Sequence, residues 1–184
     1  MAGTLTTVGH GTLDAARFTE LLRGAGISAL VDVRTAPGSR HNPDFSRAAM
    51  ERWMAEAGVD YRWEKRLGGF RRGRADSPNV ALRHPAFRGY ADHMQTGEFR
   101  DALDGVLRQA GRAPTAVMCA ESVWWRCHRR LVADAAALLH DVEVRHLMHD
   151  GTLRPHLPTD GVRRDGDLLV YDAGAQLALP DIGG

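Results

Sequence analysis

The side chains best suited to chemistry are concentrated in one short segment, residues 118–130. It contains the only two cysteines of the chain, Cys119 and Cys127, with Glu121 between them. The segment is typical of a strand, a loop and a helix N-terminus, where backbone N–H groups and nearby arginines stabilise an anion or a thiolate. The thiolate is the nucleophilic form of cysteine, and a carboxylate can transfer protons. Cys127, Cys119 and Glu121 are therefore candidate catalytic residues.

Other candidate side chains follow the first two predicted strands. His10 lies between two glycines after the first strand. It is a further candidate for proton transfer, and a structural hydrogen bond to the backbone would account for it equally well. In an open parallel sheet, ligands bind beyond the carboxyl ends of the strands. We therefore expect Arg34 and Arg40, which follow the second strand, to bind an anion together with Arg129 and His128.

The two cysteines are also compatible with roles outside catalysis. Cys119 ends an apolar strand, and buried thiols are commonly inert. A reversible Cys119–Cys127 disulfide needs Cα atoms within about 7 Å, which a folded-back loop permits. A metal site is not expected, because Cys127 and His128 are adjacent and would point about 100° apart on a helix. The sequence indicates no cofactor.

Asp32 is unusual because it lies within an apolar strand. An unpaired buried carboxylate is costly, so this side chain needs a partner. Arg34, Arg126 and Arg129 are the candidate partners in an ion pair.

A basic loop, residues 62–74, suggests a different function. It contains six basic residues and one acidic residue, Glu64, together with glycines and aromatic side chains. This composition suits a nucleic-acid backbone, and Trp124 or Trp125 could stack on a base. A solvated arginine-rich loop is the alternative, because arginine supplies all but one of the 24 basic residues of the whole chain.

Short apolar runs alternate with helical periodicity, which is typical of an α/β fold. Strands are predicted over 4–8, 29–33, 59–63, 115–119 and 142–147. Helices are predicted over 13–25, 46–57, 87–110 with a break near Thr96, and 127–139. Asp165 and Gly166 lie between Val162-Arg163-Arg164 and the apolar segment Leu168-Leu169-Val170-Tyr171, which predicts a C-terminal hairpin.

Length and composition predict one domain. The chain has 184 residues, of which 43% are hydrophobic and 26% charged, and its net charge is +1. We expect a single α/β domain over 1–184, with a mostly parallel sheet flanked by helices and a short C-terminal hairpin over 160–184. No apolar run approaches the ~18 residues of a membrane span, and the N-terminus lacks the pattern of a secretory signal. These features favour a cytoplasmic protein and leave its oligomeric state open.

Several of these motifs together resemble the domain-of-unknown-function 488 family, over about residues 6–158. The matching segments are Val8-Gly9-His10, Asp32-Val33-Arg34, residues 37–45, Leu67-Gly68-Gly69, residues 87–91, Cys119-Ala120-Glu121 and Arg126-Cys127-His128-Arg129. Trp124 departs from the pattern, because family members often carry proline there. The resemblance implies an α/β fold and a bacterial or archaeal source, and it implies no reaction.

Three functions remain open on the sequence alone. The first is an enzyme or binding protein for an anionic, phosphate-bearing ligand, with its site at the carboxyl ends of the strands. The second is a nucleic-acid-binding module that uses loop 62–74. The third is a thiol redox switch formed by Cys119 and Cys127.

Overall fold

The computed structural model describes residues 3–38 and 40–174 of the chain. Strands and helices alternate along most of this length. The strands are β1 (Thr4–Gly9), β2 (Ala29–Asp32), β3 (Asp60–Trp63), β4 (Thr115–Cys119), β5 (Glu143–Leu147), β6 (Leu153–Pro155), β7 (Val162–Asp165) and β8 (Leu168–Tyr171). The α-helices are α1 (Ala15–Gly24), α2 (Arg47–Glu56), α3 (Pro85–Met94), α4 (Gly97–Ala110) and α5 (Arg129–His140).

Six strands form one mostly parallel sheet in the order β3-β2-β4-β1-β5-β6. β1 to β5 pair in parallel, and β6 adds to the edge of β5 in the antiparallel direction. β7 and β8 form the separate C-terminal hairpin. The α/β class, the parallel sheet and the hairpin are therefore confirmed. β6 was not predicted, because its three residues carry no periodic signal.

Helices cover both faces of the sheet, as the continuous apolar strands indicate. Successive residues of a strand point to opposite faces, so Val117 belongs to one core and Met118 to the other. The Val117 core contains residues of α3, α4 and α5, and we call this side the α5 face. The Met118 core contains residues of α1 and α2, and we call this side the α2 face.

Polar side chains define where the helices begin. The Ser46 side chain accepts a hydrogen bond from the Ala49 N–H at 3.3 Å, as expected for the residue before α2. Thr96 caps α4 in the same way, which explains the break between α3 and α4. α5 begins at Arg129, two residues later than predicted, because Cys127 has extended backbone angles.

The C-terminal hairpin packs against the α5 face. Leu169 and Tyr171 are buried in that core. The Tyr171 hydroxyl donates to Asp134 of α5 at 2.9 Å, and its backbone N–H donates to the Asn79 side chain at 3.0 Å. Residues 175–184 of the predicted hairpin extension lie outside the described residues. Over residues 3–38 and 40–174, no helix has the length and apolar character needed to cross a membrane.

Candidate functional site

The predicted site residues are divided between the two faces of the sheet. Cys119 ends β4 on the α5 face. Asp32, the last residue of β2, directly follows Val31, which belongs to the α5-face core. Successive side chains of a strand point to opposite faces, so Asp32 lies on the α2 face. His10 stacks on Phe45 of the α2-face core. Two polar clusters result. The thiol cluster consists of Cys119, Cys127, His128 and Arg129, and the Asp32 cluster consists of His10, Asp32, Arg34 and Tyr61.

The two cysteines are in direct contact. Their sulfur atoms lie 2.6 Å apart, and both residues are free cysteines. A short 3₁₀ turn, Trp124–Arg126, reverses the chain between them and returns Cys127 to the end of β4. Cys119 is 2% exposed and Cys127 is 6% exposed. The structure therefore brings these two candidates together in a buried place.

Their environments make the two thiols unequal. Burial opposes the ionisation of Cys119, but the hydrogen bond with the Cys127 thiol and the Arg129 guanidinium bring the pKa of Cys119 below its ordinary value. Burial and the neighbouring Cys119 raise the pKa of Cys127 well above its ordinary value. The directions of these two shifts make Cys119 the more readily ionised thiol of the pair.

Arg129 is a buried cation without a carboxylate partner among the described residues. Its side chain is among the largest that are fully buried, at 1% exposure. Nη2 donates to the Ser122 carbonyl at 2.9 Å, whereas Nε and Nη1 have no hydrogen-bond partner in the described part of the chain. Nη1 lies over Gly9, since a Cβ there would be 2.8 Å from it. Gly9 pairs in register with Cys119, so the guanidinium lies beside the thiols.

His128 is held between the thiols and β2. Its Nε2 donates to the Val33 carbonyl at 2.9 Å, and its Nδ1 lies 3.5 Å from the Cys127 sulfur. Burial, with a smaller effect of Arg129, lowers the pKa of His128 to about 4. Gly69 covers the ring so closely that a Cβ would be 2.6 Å from Nδ1. His128 is therefore neutral, and its Nε2–H is hydrogen-bonded to the backbone carbonyl of Val33.

The Asp32 cluster is an internal ion pair. Asp32 is fully buried and accepts two hydrogen bonds from the Arg34 guanidinium, from Nε at 2.9 Å and Nη2 at 2.6 Å. The Tyr61 hydroxyl donates to the same carboxylate at 2.7 Å. Of the three arginines considered as partners of Asp32, Arg34 is the one that the structure places there.

His10 completes the Asp32 cluster. Its Nε2 lies 3.4 Å from Arg34 Nη1, and its Nδ1 donates to the Gly11 carbonyl at 3.0 Å. The ring stacks on Phe45 with 4.3 Å between ring centres. Burial, together with the Arg34 charge, lowers the pKa of His10 to about 4. His10 is therefore a neutral acceptor beside Arg34, on the other face from the thiols.

Glu121 and Arg40, the remaining predicted site residues, are both exposed. Glu121 contacts Cys119 through its backbone, because its carbonyl accepts from the thiol at 3.5 Å. The Glu121 carboxylate accepts from the Val123 N–H at 3.0 Å. Arg40 lies in the loop between β2 and α2.

Several basic side chains of loop 62–74 form hydrogen bonds within the protein. The buried Glu64 carboxylate accepts from Arg62 at 3.2 Å and from Arg66 at 2.8 Å. Arg71 donates to three backbone carbonyl groups within residues 65–68. Three of the six basic side chains predicted to form a nucleic-acid surface therefore hold the loop together.

A buried hydrogen-bonded chain beside the thiol cluster was missed at the sequence level. It runs from Thr7 through His146 and His156 to Asp134, with successive distances of 2.6, 3.0 and 2.8 Å. The four residues come from β1, β5, the segment after β6 and α5, and no sequence spacing connects them. Trp124 stacks on His146 with 3.9 Å between ring centres, whereas Trp125 is 47% exposed.

Among residues 3–38 and 40–174, no three histidine, cysteine, aspartate or glutamate side chains are grouped to hold a metal ion.

Comparison with known proteins gives a family match. A family described as "Domain of unknown function DUF488" matches residues 14–136, about two thirds of the chain. That range includes the whole thiol cluster and ends within α5. No curated protein and no solved structure matches the chain. The chain belongs to the DUF488 family.

Proposed function

We propose that this protein is a dithiol redox protein, in which Cys119 and Cys127 alternate between two thiols and one intramolecular disulfide. The observation that carries the proposal is the 2.6 Å contact between the two sulfur atoms. A disulfide bond is about 2.05 Å long, so closing it requires only a small movement of two side chains that already touch.

The difference in pKa between the two thiols assigns their roles. Cys119 is the thiolate that attacks the oxidant, since its pKa is lowered by the Cys127 hydrogen bond and by Arg129 despite burial. Cys127 is the resolving thiol, and it attacks the oxidised Cys119. Oxidation removes two electrons and two protons from the pair, and a peroxide or a small disulfide takes up both. A dithiol reductant returns them by thiol–disulfide exchange.

The contacts favour this function over a site for a phosphate-bearing ligand. Such a site needs guanidinium groups that face solvent. Arg34 is 8% exposed and bonded to Asp32, and Arg129 is 1% exposed. Of the three arginines expected to bind the anion, Arg40 alone is exposed.

The contacts also favour this function over nucleic-acid binding. A nucleic-acid backbone is held by basic side chains that are free to meet its phosphates. In loop 62–74, Arg62 and Arg66 share the Glu64 carboxylate, and Arg71 is bonded to the backbone.

The proposal is tested by mild oxidation of the reduced protein with diamide, followed by intact mass spectrometry without reductant. We expect the monomer to lose two hydrogen atoms and to lose its reactivity toward iodoacetamide. Cys119→Ser and Cys127→Ser preserve side-chain size and should each prevent the loss. A wild-type protein that is folded, exposed to diamide and still alkylated at both cysteines would contradict the proposal.

A second measurement tests the assigned roles. Cys127→Ala removes the hydrogen bond that favours the Cys119 thiolate, so the pKa of Cys119 should rise. The rate of iodoacetamide alkylation of Cys119, followed against pH, reports that pKa directly. A profile unchanged by Cys127→Ala would remove the basis for naming Cys119 as the attacking thiol.

A further inference from the structure

Arg129 carries a buried positive charge that the described residues do not balance with a carboxylate. A guanidinium stays charged in proteins, and a buried charge is normally paired. Arg129 is 1% exposed. Its Nη2 donates to the Ser122 carbonyl, and its Nε and Nη1 have no hydrogen-bond partner among residues 3–38 and 40–174. The folded chain therefore leaves this cation in need of a counter-charge.

Two contacts place Cys119 beside this guanidinium. Arg129 Nη1 lies over Gly9, where a Cβ would be 2.8 Å from it. Gly9 pairs in register with Cys119 on the next strand, about 4.8 Å away, and the two positions point to the same face of the sheet. The Glu121 carbonyl, which accepts from the Cys119 thiol at 3.5 Å, also lies over Gly9. The thiol and the guanidinium therefore share the same end of β1 and β4.

The surrounding side chains do not balance the charge of Arg129. Those that are charged or titratable and face the thiols or the guanidinium are Glu121, His128, His146, His149, Tyr90 and Arg71. Histidine rings are neutral or positive, and Arg71 is itself a cation. Burial raises the pKa of Tyr90 well above its ordinary value. Glu121 is the acid of the group, and it is exposed. The Cys119 thiolate is therefore the buried anion that this part of the chain can form beside Arg129.

We propose that Arg129 makes the Cys119–Cys127 pair an oxidising redox couple by stabilising its reduced form. In the reduced form, ionisation of Cys119 gives the buried guanidinium its counter-charge. In the disulfide both sulfur atoms are neutral, so the guanidinium stays unbalanced. A couple whose reduced form is stabilised gives up its disulfide readily, whereas structural disulfides resist reduction by glutathione. This inference rests on the proposed dithiol function and names the electron donors of that site as small monothiols such as glutathione.

Reduction of one protein disulfide consumes two glutathione molecules. The Cys119–Cys127 bond breaks, and one S–S bond forms between the two glutathione sulfur atoms. Two electrons pass from glutathione to the cysteines. Of the two protons released by glutathione, one goes to Cys127 and the other goes to solvent when Cys119 stays ionised. The equilibrium of this reaction therefore shifts toward the reduced protein as the pH rises through the pKa of Cys119.

The test is the equilibrium between the whole protein and glutathione at several pH values. The protein is equilibrated with mixtures of reduced and oxidised glutathione from pH 6 to 9, and mass spectrometry after acid quenching gives the disulfide fraction. The equilibrium constant for reduction is calculated with the concentration of protonated glutathione, so that only the protein thiols titrate in it. We expect this constant to rise by up to about tenfold per pH unit, beginning below the ordinary cysteine pKa of about 8.5.

Variants assign the rise to Arg129. Arg129→Met removes the charge, so its constant should equal that of wild type near pH 6 and be about 10-fold to 100-fold lower at pH 9, the size of a hydrogen bond to a charged group. Arg129→Lys keeps the charge and should keep most of the rise. Arg126→Met, the matched control, removes an exposed charge of the same segment and should leave the curve nearly unchanged. A merely structural role of Arg129 would give a ratio of wild type to Arg129→Met that is independent of pH.

The outcomes separate the two proposals. A disulfide that stays intact in excess reduced glutathione, a wild-type constant that is flat up to pH 8.5, or a pH-independent ratio overturns the inference and leaves the dithiol function standing. If the disulfide forms neither with diamide nor with oxidised glutathione, both are overturned. The wild-type curve decides the matter if Arg129→Met does not fold.

Discussion

Arg34 and Arg129 show how one residue type has different roles at neighbouring strand ends. Arg34 meets a fully buried carboxylate and forms a closed ion pair with Asp32. Arg129 meets two thiols and a backbone carbonyl, so its charge favours a thiolate. The difference follows from strand alternation, which directs Asp32 to the α2 face and Cys119 to the α5 face.

Replacing Arg34 should destabilise the fold strongly. Arg34→Met leaves Asp32 as an unpaired buried carboxylate, and breaking a buried pair costs about 3–5 kcal/mol. Arg47→Met is the control, because Arg47 pairs with Glu51 at half-exposed positions and should cost less than about 1 kcal/mol. Urea unfolding of the two variants measures both. Equal losses of unfolding free energy would show that the Asp32 pair is not the stabilising feature described above.

Gly9 should tolerate no side chain. In Gly9→Ala, the Cβ would overlap the Glu121 carbonyl and crowd Arg129 Nη1 at 2.8 Å, so backbone must move. We expect a loss of about 1–3 kcal/mol in unfolding free energy and faster alkylation of the thiols. Gly24→Ala is the matched control, because nothing lies within 4 Å of a Cβ there at the end of α1. It should be neutral or stabilising, and a Gly9→Ala protein with wild-type stability would contradict the packing described.

At the scale of elements, the 3₁₀ turn Trp124–Arg126 and the start of α5 create the thiol cluster. The sequence allowed this proximity, since a loop between strand and helix can fold back, but it did not require it. The sequence could not indicate that His10 and Arg34 would lie on the other face. The direction of a side chain just beyond a strand depends on the conformation of the loop that carries it. The loop conformation is set by packing on Phe45 at His10 and by packing on Met50 at Arg34.

The hairpin is an element that the family match does not include, yet it shares the α5-face core. Tyr171→Phe removes the hydroxyl that donates to the buried Asp134. Leaving this carboxylate short of a donor should cost about 1–3 kcal/mol, measured by urea unfolding. Asp167→Ala, at the exposed turn of the hairpin, should change stability by less than about 0.5 kcal/mol. A neutral Tyr171→Phe would indicate that the hairpin is not coupled to α5.

At the scale of the whole molecule, histidines whose pKa is lowered in the fold make stability depend on pH. Burial is the main cause that lowers the pKa of His10 and His128 to about 4 and that of His146 to about 3, from 6.5. Below pH 6.5 the unfolded chain therefore binds protons that the folded chain does not. Stability is fully present above that pH and is lost as the pH falls, by up to about 4 kcal/mol per pH unit.

Unfolding free energies measured between pH 6.5 and about 5 check this expectation, because most carboxylates remain ionised there. His146→Gln removes one of these groups and should lower the slope by up to about 1.4 kcal/mol per pH unit. His140→Gln is the control, since His140 is exposed. A slope near zero in the wild type would contradict the neutral, buried state of these rings.

The fold class was readable from the sequence because apolar runs and helical periodicity are local signals. The need of Asp32 for a cation was readable for the same reason, since a charge within an apolar strand is conspicuous. The chain from Thr7 to Asp134 was not readable, because four elements of distant sequence position build it. The function could be predicted from the sequence only in part. The residue types indicated thiol chemistry, but the contact between the two sulfur atoms depends on the three-dimensional packing.

The most direct test of the dithiol function is an equilibrium redox titration of the whole protein in dithiothreitol buffers of graded potential, with the disulfide quantified by mass spectrometry. We expect one transition in which the monomer gains an intramolecular Cys119–Cys127 disulfide with a two-electron slope, a tenfold change in ratio over about 30 mV. Two thiols that persist at every potential, or disulfides that form only between chains, would contradict the account.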